Sequence, residues 1–285
     1  MITAIARSKV NLYLHVTGKR ADGYHLLESL VVFPELSDRI TIRKGKELSL
    51  EVTGPFADSI GSTEENLVLK AAHLLKSESR IDAGAHITLE KNLPVAAGIG
   101  GGSADAAATL RVLNQLWDID FSDDGLSRIG LTLGADIPAC LYGKPAIMSG
   151  IGERISGLQK FPKFHILLVN SGHSVSTRDV FNRLRITGEV PPAGDFNAAT
   201  TRDLFAGLTP MRNDLEMPAR EVVPVIGEVL SAIREQKGCY LARMSGSGAT
   251  CFGLFEDSEA AEAAVHALRA RRRPGWWVQA AAVGP

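Results

Sequence analysis

The sequence predicts an α+β protein of two domains. The chain has 285 residues, enough for one large domain or two moderate ones. Strand-like runs crowd its first third, and helices then join them without the regular strand–helix–strand spacing of a doubly wound sheet. A second group of strands and helices opens after residues 150–165. We place the boundary at 157/158, giving domains 1–157 and 158–285.

The elements follow in order. Ile2 to Val16 alternates loosely, as a strand region does. Thr17 to His25 is polar and glycine-punctuated and reads as a loop. Leu30 to Phe33 is an apolar strand, and Arg39 to Val52 holds two more, parted near Gly45. Ser62-Thr63-Glu64-Glu65 has the form of a capping box before a helix with Leu67, Ala71, Leu74 and Leu75 on one face. His86 to Glu90 is a strand running into Lys91-Asn92-Leu93-Pro94. Ala104 to Trp117 and Leu126 to Leu133 are helices, and short strands follow at Pro145–Met148 and Glu153–Ile155. In the second half, Phe164 to Asn170 is a buried strand. Leu184 to Gly194, rich in Pro and Gly, is a surface connection. Glu221 to Gln236 is a helix broken near Pro224. Tyr240 to Phe255 carries two strands about a glycine turn. Ser258 caps a last helix, and Trp276 to Val283 is a closing strand.

Composition narrows the class. Hydrophobic residues at 45% and charged ones at 22% fit a globular chain rather than a disordered one. A formal net charge of -1 gives no basic field to recruit nucleic acid. Arg269, Arg271, Arg272 and Arg273 read as a solvated helix end favoured by the dipole. Three cysteines, Cys140, Cys239 and Cys251, form no CxxC pair and read as reduced thiols. Neither a membrane-length apolar run nor a signal-peptide pattern is visible, so a cytoplasmic protein is expected, either monomer or weak homodimer.

The densest chemical signal is Pro94-Val95-Ala96-Ala97-Gly98-Ile99-Gly100-Gly101-Gly102-Ser103, entering a helix at Ala104. Glycines let backbone approach a ligand closely, and free N–H groups at a helix start suit a phosphate. A side chain at Gly101 is expected to enter the ligand's space. Ser103 is placed to cap the helix or to meet a phosphate or magnesium. A P-loop would need Lys-Ser or Lys-Thr after the last glycine, and a dinucleotide fingerprint belongs in an early βαβ unit; neither condition holds. With no lysine in the loop, charge must come from elsewhere. Lys9 interrupts an apolar strand, and Asp136 stands in Leu133-Gly134-Ala135-Asp136-Ile137-Pro138. Taken alone, the first reads as a strand-edge lysine and the second as a turn or cap residue. Tyr24 and His25 are adjacent rings in a polar loop, a place where a nucleobase can be stacked and its edge read.

Together these segments resemble the GHMP kinases, named for galactokinase, homoserine kinase, mevalonate kinase and phosphomevalonate kinase. The likeness lies in Ala6-x-x-Lys9-x-Asn11, in the glycine loop, in Leu133 to Pro138, and in Ser245-Gly246-Ser247-Gly248. Asp22-Gly23-Tyr24-His25 is similar to a signature of the branch that phosphorylates a cytidine-diphospho polyol. The resemblance implies two domains with the active site in their cleft, ATP as co-substrate and Mg2+ as cofactor. It implies that Lys9 and Asp136 form the catalytic pair and that Pro94 to Ala104 wrap the ATP phosphates. It further implies that Asn11, Tyr24, His25, Thr177 and Phe181 hold the cytidine substrate; metal ligands are not assigned. Many relatives carry glycines where Ala96 and Ala97 stand, and a second serine at Ala104. Another GHMP kinase of homoserine or mevalonate type, or a non-catalytic nucleotide-binding protein on the same fold, is the alternative.

Overall fold

A computed structural model describes residues 1–185, 196–271, 273 and 275–285. Most of the expected surface connection, from 186 to 194, lies outside the described residues, as does Arg272. In chain order the first half gives β1 (Ile2–Arg7), β2 (Val10–Asn11), β3 (His15–Lys19), β4 (His25–Val32), β5 (Ser37–Gly45), β6 (Leu48–Thr53), α1 (Leu67–Ser79), β7 (Gly84–Glu90), α2 (Gly101–Leu116), α3 (Asp123–Leu133) and α4 (Ile137–Tyr142). Then come β8 (Ala146–Gly150), β9 (Arg154–Gly157), β10 (Phe164–Asn170), α5 (Thr177–Arg183), α6 (Thr201–Leu208), α7 (Glu216–Val222), α8 (Val225–Arg234), β11 (Leu241–Met244), β12 (Cys251–Phe255), α9 (Ser258–Ala270) and β13 (Trp277–Val283). The architecture is α+β, as expected.

Contacts gather the chain into two compact units, and neither is a continuous segment. Unit 1 is Met1–Lys9, Leu36–Val95 and Gly100–Gly143; unit 2 is Val10–Glu35, Ala96–Ile99 and Lys144–Pro285. A division at 157/158 does not separate them. The reason is strand pairing: β4 runs antiparallel to β8, with Leu27 opposite Gly150 and Val31 opposite Ala146. Residues 10–35 are thereby committed to a sheet completed by residues beyond 143.

Unit 1 is one sheet, in the order β1-β5-β7-β6, with helices packed against it. Alternation along β5 turns Ile40 and Ile42 inward, and β7 adds Ile87 and Leu89. Ala71 and Leu75 of α1, and Ala106, Leu110 and Leu113 of α2, complete this core. The run Ala104, Ala106, Ala107, Ala108 gives α2 a thin buried face, which suits close packing on both sheet and helices. Two caps differ from expectation. Ser62 starts only a 3-10 turn, and Asn66 caps α1 by accepting the Val68 N–H at 2.9 Å. Asn66 stands directly before the apolar stripe, so its side chain meets the free N–H groups first. Likewise Asp257, not Ser258, caps α9, accepting the Ala260 N–H at 2.8 Å.

Unit 2 holds two antiparallel sheets, β2-β4-β8-β9 with β3 on β4, and β11-β12-β10-β13. The segment expected as loop from Thr17 is partly a hairpin, since β3 continues to Lys19 opposite His25. Pro224 divides α7 from α8 as expected, and α8 lays Ile226, Val229, Leu230 and Ile233 into the unit's core. Arg271 and Arg273 pair with Glu235 and Glu228 at 2.8 and 3.6 Å. Among the described residues, no helix is long and apolar enough to cross a membrane.

Candidate active site

Lys9 lies in the gap between β1 and β2, and its side chain is only 3% exposed. A lone buried ammonium is costly unless paired, and its Nζ stands 2.8 Å from Asp136 Oδ1. Asp136 occupies the N-cap position of α4 but makes no side-chain cap bond. Its carboxylate is free for Lys9, and at 37% exposure it remains open to a ligand. Lys9 thus lies between two strands rather than within one, and Asp136 stands at the helix start without capping it through its side chain. One turn along α4, burial pushes the Cys140 thiol well up, with Asp136 adding to the effect, so it stays protonated and unreactive.

The glycine turn fits its neighbours by lacking side chains. Gly100 is the N-cap of α2 with φ +61°, and a Cβ there would sit 3.1 Å from Lys9 Cβ and 3.2 Å from Lys9 Cε. Gly98, at φ +73°, has room for no Cβ, which would lie 2.6 Å from the Gly248 carbonyl oxygen. The first N–H of the turn to find a helical acceptor is that of Ala104, on Gly100 O at 2.8 Å. The N–H groups of Gly100 to Ser103 are therefore the open end of α2.

Three expectations about this turn change. The helix begins at Gly101, so Ser103 is inside its first turn and not its cap. A side chain at Gly101 would run inward, its Cβ 3.1 Å from Lys91 Nζ, rather than into ligand space. Ala104 is buried with its N–H already bonded, so a hydroxyl at that position would face the core. Ala96 holds φ +52°, a left-handed conformation that glycine would adopt without the Cβ penalty. Ala97 and Ile99 are buried, while Val95 and Ala96 are exposed.

In unit 2 the expected substrate residues are brought together with the second glycine turn, except Tyr24. The Asn11 N–H donates to Ser245 Oγ at 3.1 Å, and Ser245 Oγ donates in turn to the Gly98 carbonyl at 2.9 Å. The Asn11 side-chain amide donates to Ser29 Oγ at 2.7 Å. The His25 ring stacks on Phe181 with centroids 4.9 Å apart, and Thr177 Oγ1 lies 2.8 Å from Ser247 Oγ. Thr177 and Phe181 sit four apart on α5 and so share one face. Burial, aided by Lys19, lowers the His25 pKa, so its ring is neutral at pH 7 with a nitrogen free to accept. Tyr24 is 61% exposed, and among the described residues its ring stacks on no other.

Sequence reasoning missed a buried cluster at the base of the turn. Lys91 pairs with Asp38 and, at 2.9 Å, with Asp105. Asp38 Oδ1 also accepts the N–H groups of Asn92 and Leu93 at 2.5 and 2.8 Å. The available signal was Asp105 itself, an acid within the alanine run of a buried helix face. Among the described residues no group of three or more His, Cys, Asp or Glu side chains stands ready to hold a metal.

The family model for the GHMP kinases N terminal domain matches residues 66–144, and that for the GHMP kinases C terminal domain matches 199–273. Fold and site thus define a small-molecule kinase of that class. The crystal structure of L. major mevalonate kinase with R-mevalonate covers 100% of this chain, and 96% of its own is covered, at TM-score 0.75 and 18% identity; that likeness shows the fold alone. A crystal structure of 4-(cytidine 5'-diphospho)-2C-methyl-D-erythritol kinase matches over 100% of both chains at TM-score 0.82 and 34% identity. Curated relatives named 4-diphosphocytidyl-2-C-methyl-D-erythritol kinase are 50% identical in Parvibaculum lavamentivorans, over 99% of this chain and 98% of the relative, and 49% identical in Cereibacter sphaeroides, over 98% of each. The chain belongs to the 4-diphosphocytidyl-2-C-methyl-D-erythritol kinase family, ahead of the homoserine and mevalonate alternatives.

Proposed function

We propose that this kinase transfers the γ-phosphoryl group of ATP to a hydroxyl of 4-diphosphocytidyl-2-C-methyl-D-erythritol. The products are the 2-phosphate and ADP, within the non-mevalonate route to isoprenoid precursors. The reading takes the cytoplasm as its compartment, where ATP is made and free thiols stay reduced. The observation that carries the chemistry is the Lys9–Asp136 pair at 2.8 Å, with the stem of Lys9 packed on Gly100 of the glycine turn.

Asp136 accepts or orients the proton of the attacking hydroxyl, and Lys9 stabilises charge developing on the transferred phosphoryl. The N–H groups of Gly100 to Ser103 donate to phosphate oxygens at the positive end of α2. The rest of Pro94 to Ile99 shapes that turn. Phosphoryl transfer supports almost wholly by positioning and electrostatics, so few reactive groups are needed. Magnesium fits the residues present: it binds through one or two oxygen ligands plus substrate phosphates rather than in a protein cage. Asp136 offers an accessible carboxylate, and Ser103 Oγ lies 3.9 Å from where a Gly134 Cβ would be. When bound, the ion would neutralise negative charge on the nucleotide phosphates.

His25, stacked on Phe181, and Thr177, beside Ser247, hold the cytidine end, with Asn11 fixing the turn behind them. Tyr24 is exposed and free to fold over a bound base. A site that reads a base by hydrogen bonds rejects the wrong base strongly, because mismatched polar groups are left unpaired. The test is a phosphoryl-transfer assay with ATP against the cytidine-diphospho polyol, its uridine analogue, homoserine and mevalonate. The cytidine form should be used far better than the rest, and His25→Ala should narrow its lead over the uridine form. Equal use of the cytidine and uridine forms by the unmodified enzyme would refute the base-reading role.

A further inference from the structure

The Asp38–Lys91–Asp105 cluster is an expensive object. All three side chains are almost wholly buried in unit 1. Buried ion groups of this kind are often no more stabilising than well-packed apolar residues of the same volume. The ammonium is also badly placed for helix stability. It lies against Gly101, the first residue of α2, where the dipole favours negative charge. Stability therefore gives no sufficient account of it, and its connections suggest another.

The cluster touches the glycine turn where the chain enters it and where it leaves. On the entry side, Asp38 Oδ1 accepts from Asn92 and Leu93, just before Pro94. On the exit side, Lys91 Nζ would be 3.1 Å from a Gly101 Cβ, and Asp105 stands one turn further along α2. We propose that the Asp38–Lys91–Asp105 cluster is a positioning device for phosphoryl transfer, clamping both ends of the glycine turn so that the Gly100–Ser103 N–H groups stay aimed at the nucleotide phosphates.

Charge is consistent with this role. Two carboxylates and one ammonium would leave a net negative charge beneath a phosphate site. Burial first, then Asp38, raises the Asp105 pKa to about 7 against the opposing pull of Lys91. A proton held on Asp105, facing Asp38, makes the cluster neutral. Asparagine in place of Asp105 mimics that form.

The inference rests on the reading that the turn binds phosphates. The experiment is calorimetric titration with a non-hydrolysable ATP analogue, beside urea unfolding and steady-state KM values for both substrates. Lys91→Met and Asp105→Leu should weaken analogue binding about 10-fold or more, as loosened positioning does. The KM for the cytidine substrate should hold, and Asp105→Asn should bind the analogue as the unmodified chain does. If Lys91→Met does not fold, Asp38→Asn decides the matter in the same titration: its amide oxygen can still accept from Asn92 and Leu93, but its NH2 replaces the Oδ2 that accepts from Lys91, so analogue binding should again weaken. Variants that shift the urea midpoint but bind the analogue normally would make the cluster merely structural and overturn the proposal. No binding by the unmodified chain would remove the phosphate reading itself, and the proposal with it.

Discussion

Gly100→Ala separates the geometry of the catalytic pair from the stability of the fold. Gly100 holds φ +61°, a region that costs an L residue roughly 1–2 kcal/mol. Alanine also stiffens the unfolded chain, which returns about 0.5–1 kcal/mol. The net loss is about 1 kcal/mol, or ~2 °C in Tm for a chain of 285 residues, at an unfolding entropy of ~2.1 cal/mol/K per residue. Activity should suffer more. The new methyl would stand 3.1 and 3.2 Å from Lys9 Cβ and Cε, inside the ~3.5–4.0 Å carbon–carbon optimum. Lys9 must then move, and its Nζ is held 2.8 Å from Asp136. A misplacement of ~1 Å costs about 10²-fold in rate, so a shift of a few tenths should lower kcat by roughly 10-fold. The assay is ADP release coupled to a spectrophotometric readout, with thermal unfolding alongside. Gly143→Ala is the stability control, since it holds φ +68° as Gly100 holds +61°, and its methyl would meet only the Cys140 carbonyl oxygen at 3.6 Å. A Gly100→Ala enzyme with unaltered kcat would show that Lys9 does not take its place from the turn.

Asp136→Asn should lower kcat by ~10²–10⁴-fold with substrate binding little changed. Lys9→Ala should also lose rate, and the double variant should lose less than the product of the two, because the groups act as one unit; multiplicative losses in steady-state kinetics would mean that they act separately. His15 supplies a pH prediction. It is fully buried, and its Nε2 accepts the Arg212 N–H at 3.4 Å, which requires a neutral ring. Burial first lowers its pKa below 6.5, with Arg212 and Arg243 adding and Asp214 opposing. Below pH 6.5 the unfolded chain therefore binds more protons than the folded one, so this stability is full above that value and is lost as pH falls. The urea midpoint should drop between about pH 7.5 and about pH 5.5, and drop less in His15→Gln. Equal drops in the two proteins would remove His15 as the cause.

The fold class was legible because periodicity reports which face of an element is buried. β10 was read at its observed limits, and the break at Pro224 followed from proline's missing N–H. Interleaving of the two units was not legible, because nothing in β4 says that its partner is β8. The glycine turn could be found because glycine needs no context to show its backbone freedom. Lys9 and Asp136 stood out only in combination, since the 2.8 Å between them joins positions more than a hundred residues apart. Asp38 and Lys91 stayed hidden because each, in sequence, is an ordinary charge at a strand end. The direction of Gly101 was misjudged for a related reason: composition shows that a side chain is missing but not which way it would have pointed.

The pairing of β4 with β8 also sets an order of events at the ribosome. Leu30, Val31 and Val32 are fully buried in the finished sheet, yet Val31 must wait for Ala146. At ~5–20 residues per second, that wait is on the order of ten seconds. Unit 1 closes on itself once residue 143 has emerged, whereas unit 2 needs β13, at the very end of the chain, to pair with β10. An apolar early segment is thus left waiting while most of unit 1 is made between it and its partner strand. Nascent chains stalled before β8 should be the form of this protein most in need of a chaperone.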